Sequence, residues 1–267
     1  MKNRIISTAK AAWYYAYESA RLRYERMLHA KEYGSRDEPL ISVYCPTYNR
    51  KELLMERAVK SVLEQTYENF EFIVIADGCT DGTVDALIQV GDDRIRYYTT
   101  ERTERRYPPT ADNHWFAGPV VAANSGLKEA GGKWIARIDD DDIWTDNHLE
   151  ILLSMASMLK VEFISSAYKT PDGTIHPNKN THEQGGHSSW FYRSYLKFFK
   201  YNIDCWRKSN NRVNDLDMAE RMRLAGVKMA YFPFSTYSIE PRPGETEIGS
   251  KAYLNNPEVM DKYRFEG

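Results

Sequence analysis

The chain has no long apolar run. No stretch approaches the ~18 consecutive apolar residues that a bilayer-spanning helix needs, and no apolar core of the signal-peptide kind stands near residue 1. A cytoplasmic chain is therefore expected. Cysteine is scarce: Cys45, Cys79 and Cys205 stand far apart and form no CxxC pair. That excludes a zinc ribbon or a disulfide framework and suits reduced thiols. A basic surplus is missing as well, with 36 Lys and Arg against 38 Asp and Glu and a formal net charge of −2. Phosphate-backbone affinity needs clustered cations, so nucleic acid is not an expected partner. No GxGxxG follows the first apolar strand, which argues against a dinucleotide-dependent dehydrogenase. Internal repeats and low-complexity tracts are also absent.

What is present suffices for one large domain or two small ones: 267 residues, 42% of them hydrophobic. Residues 1–36 read as a unit of their own. The segment 1–33 contains neither Pro nor Gly and reads as a helix. Ile6, Trp13, Ala16, Ala20, Tyr24 and Met27 fall at three- and four-residue spacings and make one apolar stripe. Through Lys31 the segment holds seven Lys or Arg against Glu18 and Glu25. Such a basic amphipathic helix has two uses. It packs on its own domain or a second subunit, or it lies on an anionic membrane, which would place the chain at the inner face of the plasma membrane.

From residue 37 to about 240 the pattern alternates. Strands are expected at 41–45, 70–76 (FEFIVIA), 95–98, 133–138 and 161–167, and helices at 51–65, 83–90, 120–130 and 148–159. A basic aromatic helix is expected at about 192–201, and another helix leads on from Asp215. This β-α-β-α-β order implies an α/β fold with a mostly parallel sheet and helices on both faces. Ligands of such sheets bind at the carboxyl ends of the strands.

Those ends carry the polar residues. The first gives Pro46-Thr47-Tyr48-Asn49-Arg50, the second Asp77-Gly78-Cys79-Thr80-Asp81-Gly82, the third Asp139-Asp140-Asp141-Asp142. In the second loop, Asp81 and the glycines are turn chemistry. Asp77 ends an almost wholly apolar strand, where an unpaired carboxylate is costly, so a ligand role is expected for it. In the third, two carboxylates ~4 Å apart repel by about 4 kcal/mol at an effective dielectric near 20. A helix start asks for one or two acids, and the EF-hand pattern fails because Ile143 and Trp144 occupy ligand or glycine positions. A hard divalent cation, Mn2+ or Mg2+, seated on one or two carboxylates and completed by phosphate oxygens, accounts for the run.

The set 43–50, IVIADGCTDGT, NSGLKEAGGKWIARIDDDDIW and NDLDMAERMRLAG resembles glycosyltransferase family 2 over about residues 41–234. The resemblance implies a GT-A fold with a Rossmann-like sheet. It also implies inverting transfer of a sugar from a nucleotide-diphosphate donor, a UDP-sugar favoured, to a glycan or lipid-linked acceptor. Bacterial surface polysaccharide synthesis is the setting it suggests. By the same resemblance Pro46, Thr47, Tyr48 and Asn49 would line the base pocket with Asp77 beside the base. Asp139 and Asp140 would face the ribose, Asp141, with Asp139, would hold the metal, and Asp215 would be the general base.

Three departures bear on the diphosphate. Asn214 stands where a Glu usually precedes the base, Ala123 stands where an Arg is frequent, and no His follows His187. Arg242 is the candidate substitute for that His, in a tail of residues 241–267 expected near the site. The 102–119 segment, with Arg102, Arg105, Arg106, His114 and Trp115, is longer than the family needs and reads as a lid or acceptor loop. His187, Trp190 and Trp206 are candidate acceptor contacts. A non-catalytic nucleotide-sugar binding module and a sugar-phosphate nucleotidyltransferase are the rival readings. The latter wants a Gly-rich basic first loop, which Pro-Thr-Tyr-Asn is not.

Overall fold

The computed structural model of the chain describes residues 2–29, 38–102, 106–108, 110–176, 186–209, 211–246 and 248. Arg105, the side chains of Ile6 and Trp13, and the tail beyond residue 248 lie outside what is described. The elements run α1 (Lys2–Leu28), β1 (Ile41–Thr47), α2 (Lys51–Leu53), a π-helical turn (Leu54–Val59), α3 (Lys60–Leu63), β2 (Phe70–Asp77), α4 (Thr83–Val90) and β3 (Ile95–Thr100). They continue with α5 (Ala111–Ala117), α6 (Val120–Glu129), β4 (Trp134–Arg137), β5 (Asp142–Trp144), α7 (His148–Leu159), β6 (Phe163–Lys169), β7 (Ile175–His176), β8 (Phe191–Arg193), α8 (Asn214–Ala225) and β9 (Met229–Ile239).

These strands form one sheet in the order β3-β2-β1-β4-β8-β6-β9-β5, with β7 on β6. The β3-β2-β1-β4 half is parallel, and β8 enters antiparallel between β4 and β6. Both faces of the parallel half are buried, as parallel sheets require. Along β1, Ile41, Val43 and Cys45 join one hydrophobic cluster with α7, while Tyr44 joins the other with α6 and α8. Period-two alternation therefore divides one strand between two cores. A glycine lets the second core close: a Cβ on Gly126 of α6 would stand 2.9 Å from the Tyr44 ring.

Two expectations are corrected. The 192–201 segment is not a helix. Phe191–Arg193 is a strand paired with Trp134–Ala136, followed by a 3-10 turn at Ser194–Phe198. Its aromatics alternate between the two cores, and Phe191 stacks on Trp134 with ring centroids 4.7 Å apart. The apolar stripe of α1 is likewise not its packed side. Ala16, Ala20, Tyr24 and Met27 are exposed, and the buried face carries Glu18, Leu22 and Glu25.

The helix docks on its own domain through charge. Arg26 grips fully buried Glu162 at 2.6 and 2.5 Å, and Glu18 pairs with Arg221 of α8. Burial alone would raise the Glu162 carboxyl. Arg26, the Lys228 amide and the Tyr195 hydroxyl outweigh it and hold the group below its ordinary value. Losing Arg26 would leave the buried Glu162 carboxylate short of its cation, so this pair ties the helix down.

Candidate active site

The carboxyl ends of β1, β2 and β4 and the start of α8 open on one cavity of about 200 Å³. Of the residues expected at the site, Pro46, Thr47, Tyr48, Asp77, Asp139, Asp140, Asp141, His187, Asp215 and Arg242 all line it. Asn49, Trp190 and Trp206 do not. Asn49 adopts φ 48°, a left-handed conformation Asn tolerates, and its side-chain oxygen accepts from the Thr80 amide at 2.7 Å. It joins the first two loops and is not among the residues lining the cavity. Trp190 is core, 1% exposed, with its ring against Phe163 and His187. Trp206 packs on the core edge with the Arg207 guanidinium over it at 4.3 Å. Large aromatics serve packing before recognition, and their number hid this in the sequence.

The four acids of the run have different partners. Asp140 is buried and takes the Thr47 hydroxyl at 2.8 Å and Arg50 at 2.9 Å. Burial raises its carboxyl, and Arg50 works against that rise. Asp142 lies outside the cavity, accepts the Ser188 hydroxyl and is pushed well up by burial and by Asp141. Asp139 and Asp141 line the cavity beside Asp140 and are less buried than it. Asp139 Oδ1 is held by Arg137 at 2.8 and 3.1 Å, and Asp141 Oδ2 by Arg242 at 2.6 Å, with Arg50 at 3.5 Å. Three arginines thus answer the like-charge repulsion of the run.

Sequence reasoning gave no role to Arg50, Arg57 or Arg137. Arg57 rises from the π-helical turn and donates to the carbonyls of Asp141, Glu240 and Pro241. It thereby fixes the acidic loop against the segment that carries Arg242. Arg137 is 1% exposed and one of its amino groups has no hydrogen-bond partner among the described residues. An arginine inside an apolar strand was the available signal.

Asp77 is not the unpaired carboxylate its strand suggested. It accepts from Thr100 at 2.5 Å, Arg106 at 2.7 Å and Arg102 at 3.3 Å. The Arg102 guanidinium also covers the Tyr48 ring at 3.6 Å. Gly78, at φ 70°, allows the approach, since a Cβ there would meet Arg102 Cβ at 2.8 Å. His114 completes this wall. Burial, then Arg102, Arg50 and Arg242, push it down to about 3, so it is neutral at physiological pH.

Asp215 begins α8. Its Oδ1 accepts the Leu216 amide at 2.8 Å and its Oδ2 faces His187 Nδ1 at 3.8 Å. Burial raises its carboxyl, while the Leu216 amide and Arg137 oppose the rise. A carboxylate with a raised pKa is a better proton acceptor than an ordinary Asp. The substitution of Asn214 for Glu also has a local reason. The Asn214 amide donates to the Phe116 carbonyl at 3.0 Å, a bond a carboxylate cannot make.

For a divalent ion, the donor chemistry fits. Asp139 Oδ2 and Asp141 Oδ1 are hard oxygens with no hydrogen bond among the described residues, and both residues line the cavity. No cluster of three or more His, Cys, Asp or Glu able to hold a metal occurs among the described residues. Mn2+ or Mg2+ at these two carboxylates would need other oxygens to complete its shell.

Among solved structures the same fold is found in S. aureus TarS 1–349 with UDP-GlcNAc, at TM-score 0.59 and 18% identity over 84% of this chain and 64% of that one. It is found too in the mannosyltransferase PcManGT of Pyrobaculum calidifontis with GDP-Man and Mn2+, at TM-score 0.56 and 18% identity over 88% and 68%. The architecture is thus that of the GT-A glycosyltransferases, a mostly parallel sheet flanked by helices. The description Glycosyl transferase family 2 matches residues 42–107 and 112–220, and the chain belongs to that family. Curated relatives include the UDP-Glc:alpha-D-GlcNAc-diphosphoundecaprenol beta-1,3-glucosyltransferase WfgD of Escherichia coli. It is 33% identical over 133 residues, 50% of this chain and 47% of the relative. The putative teichuronic acid biosynthesis glycosyltransferase TuaG of Bacillus subtilis is 33% identical over 141 residues, 51% and 50% of the two chains. The chain thus spans about half the length of these curated relatives.

Proposed function

We propose that the protein transfers a sugar, with inversion, from a nucleotide-diphosphate donor to a hydroxyl of a glycan or lipid-linked acceptor in bacterial surface polysaccharide synthesis. The observation that carries this is one cavity joining the two oxygen-bearing carboxylates, Asp139 and Asp141, to a recessed carboxylate with a raised pKa, Asp215. A UDP-sugar is the favoured donor, in keeping with WfgD, whose name specifies UDP-Glc. A binding module would have no use for Asp215. A nucleotidyltransferase would want a glycine-rich phosphate-binding first loop, where Pro46, Thr47 and Tyr48 stand.

In the reaction, Tyr48, Arg102 and Asp77 form the base end of the donor pocket. Arg50 and Arg242 approach the diphosphate once it draws them from Asp141. Asp139 and Asp141 would hold a divalent ion, whose charge would stabilise the departing diphosphate. Asp215 takes the acceptor's hydroxyl proton as the new bond to the anomeric carbon forms. The old bond to the diphosphate breaks, and its electron pair leaves with the phosphate.

A panel of nucleotide sugars with manganese tests the donor. At a hundred times its Kd a ligand adds about 2.7 kcal/mol, or roughly 5–10 °C in Tm for a domain of this size. One nucleotide sugar is expected to stand out by that margin only when manganese is present. A flat panel would contradict the proposal.

We also propose peripheral contact of α1 with an anionic membrane. No described helix is long and apolar enough to cross one. Both acids of the helix, Glu18 and Glu25, face inward, while Arg21, Arg23, Tyr17, Tyr24, Met27 and Leu28 are exposed. Sedimentation with phosphatidylglycerol vesicles, lost at high salt, is the expected outcome. Equal sedimentation with neutral vesicles would refute it, as would none at all.

A further inference from the structure

We propose that His187 is a positioning residue for Asp215, set in its working tautomer by a one-way chain of hydroxyls that starts at Tyr44. This rests on the reading of Asp215 as the base.

The chain is continuous. Tyr44 and Tyr201 share a hydrogen bond of 2.6 Å between their hydroxyls, and the Tyr201 hydroxyl meets His187 Nε2 at 2.8 Å. The other ring nitrogen, Nδ1, faces Asp215 Oδ2 at 3.8 Å. His187 is therefore not shaped as an acceptor contact. Its side chain is 10% exposed, its ring is wedged against Trp190, and its two nitrogens point to Tyr201 and Asp215.

Direction follows from counting protons. Burial and the neighbouring Arg137 keep the imidazole neutral, so it carries one N–H. A carboxylate oxygen accepts and cannot donate when ionised. If the proton sat on Nε2, the lone pair of Nδ1 would confront Asp215. With the Tyr201 hydroxyl donating to Nε2, the proton lies on Nδ1 and points at the base. Tyr201, having given its proton away, accepts from Tyr44. The Arg137 guanidinium lies over both tyrosine rings, 5.8 and 5.3 Å from their centroids.

The Asn-Ser-Gly-Leu stretch, which the reaction itself leaves unused, builds this chain. The Asn124 side chain exchanges two 3.0 Å hydrogen bonds with the Tyr201 backbone. Gly126 admits the Tyr44 ring. With the Leu216 amide on Oδ1 and His187 on Oδ2, both oxygens of Asp215 are oriented. At 3.8 Å the second contact is longer than a hydrogen bond and acts as an electrostatic one.

The test compares two amides and one phenyl. An Asn side chain places its NH2 near the position of Nδ1, a Gln side chain near that of Nε2. With UDP-glucose and manganese, water serving as acceptor, His187→Asn is expected to stay within several-fold of the parent kcat. His187→Gln is expected to lose about 10- to 100-fold in kcat with KM unchanged. On 15N-histidine-labelled protein, His187 is expected to show the Nδ1–H tautomer, shifting toward Nε2–H in Tyr201→Phe. The tautomer is read without substrate, so it stands whatever the donor proves to be. An Nε2–H tautomer in the parent, a tautomer indifferent to Tyr201→Phe, or equal loss in the Asn and Gln variants would overturn the proposal. Normal turnover in Asp215→Asn would instead remove the base reading and leave the tautomer result intact.

Discussion

Asp215→Asn is expected to lower sugar transfer by at least about 10³-fold while the Kd for the donor with manganese changes less than about threefold. General bases contribute about 10²–10⁴-fold, and here the isosteric amide cannot take a proton. Its surroundings survive the change, because the Leu216 amide needs only an oxygen to donate to. The parent enzyme adds a second signature. Only ionised Asp215 accepts a proton, and burial raises its pKa. The acid limb of kcat is therefore expected above the ordinary Asp range near 3.9, activity falling as pH drops through the raised value. The Asn variant's residual rate should lack that limb. Unchanged transfer, or lost donor binding, would remove Asp215 from the reaction.

Asp141→Asn is the second large effect, and it acts on the other partner. Asp141 is at present the counter-charge of Arg242 and Arg50. Neutralising it removes one of the two carboxylates offered to the ion, a contribution worth several kcal/mol. The manganese enhancement of nucleotide binding is expected to fall by about 10²-fold. Binding of UDP without metal should hold or tighten, because the two arginines are released toward phosphate. Calorimetry of UDP with and without manganese separates the two. A variant that weakens metal-free and metal-bound nucleotide equally would indicate a merely structural carboxylate.

How much of this was legible follows from how each residue reaches the site. Asp139, Asp141 and the Pro46–Tyr48 turn could be read because each directly follows a buried strand, and parallel topology carries strand ends to one place. The strands themselves were plain from β-branched runs such as FEFIVIA. The arginines were not legible as a set. Arg50, Arg57, Arg137 and Arg242 come from four elements, and only the folded sheet brings them to the acids. Asp77 misled for the same reason, since its counter-charges Arg102 and Arg106 lie 25 and 29 residues on. His187 was singled out as a sugar contact, and it lines the cavity, yet its hydrogen bond to Tyr201 could not be paired from spacing. The stripe on α1 was correctly periodic, yet the buried side is the one carrying Glu18 and Glu25. Charge pairing with Arg221 and Glu162 decided the orientation, and hydropathy alone does not see it.

The most direct measurement is a crystal grown with UDP and manganese and read at the manganese absorption edge. The expected result is one anomalous peak beside Asp139 and Asp141 and next to the diphosphate, with the base between Tyr48 and Asp77 and Asp215 open toward the free end of the diphosphate. A diphosphate held by arginines alone in saturating manganese, or a peak away from both carboxylates, would contradict the metal-seated donor on which the mechanism is built.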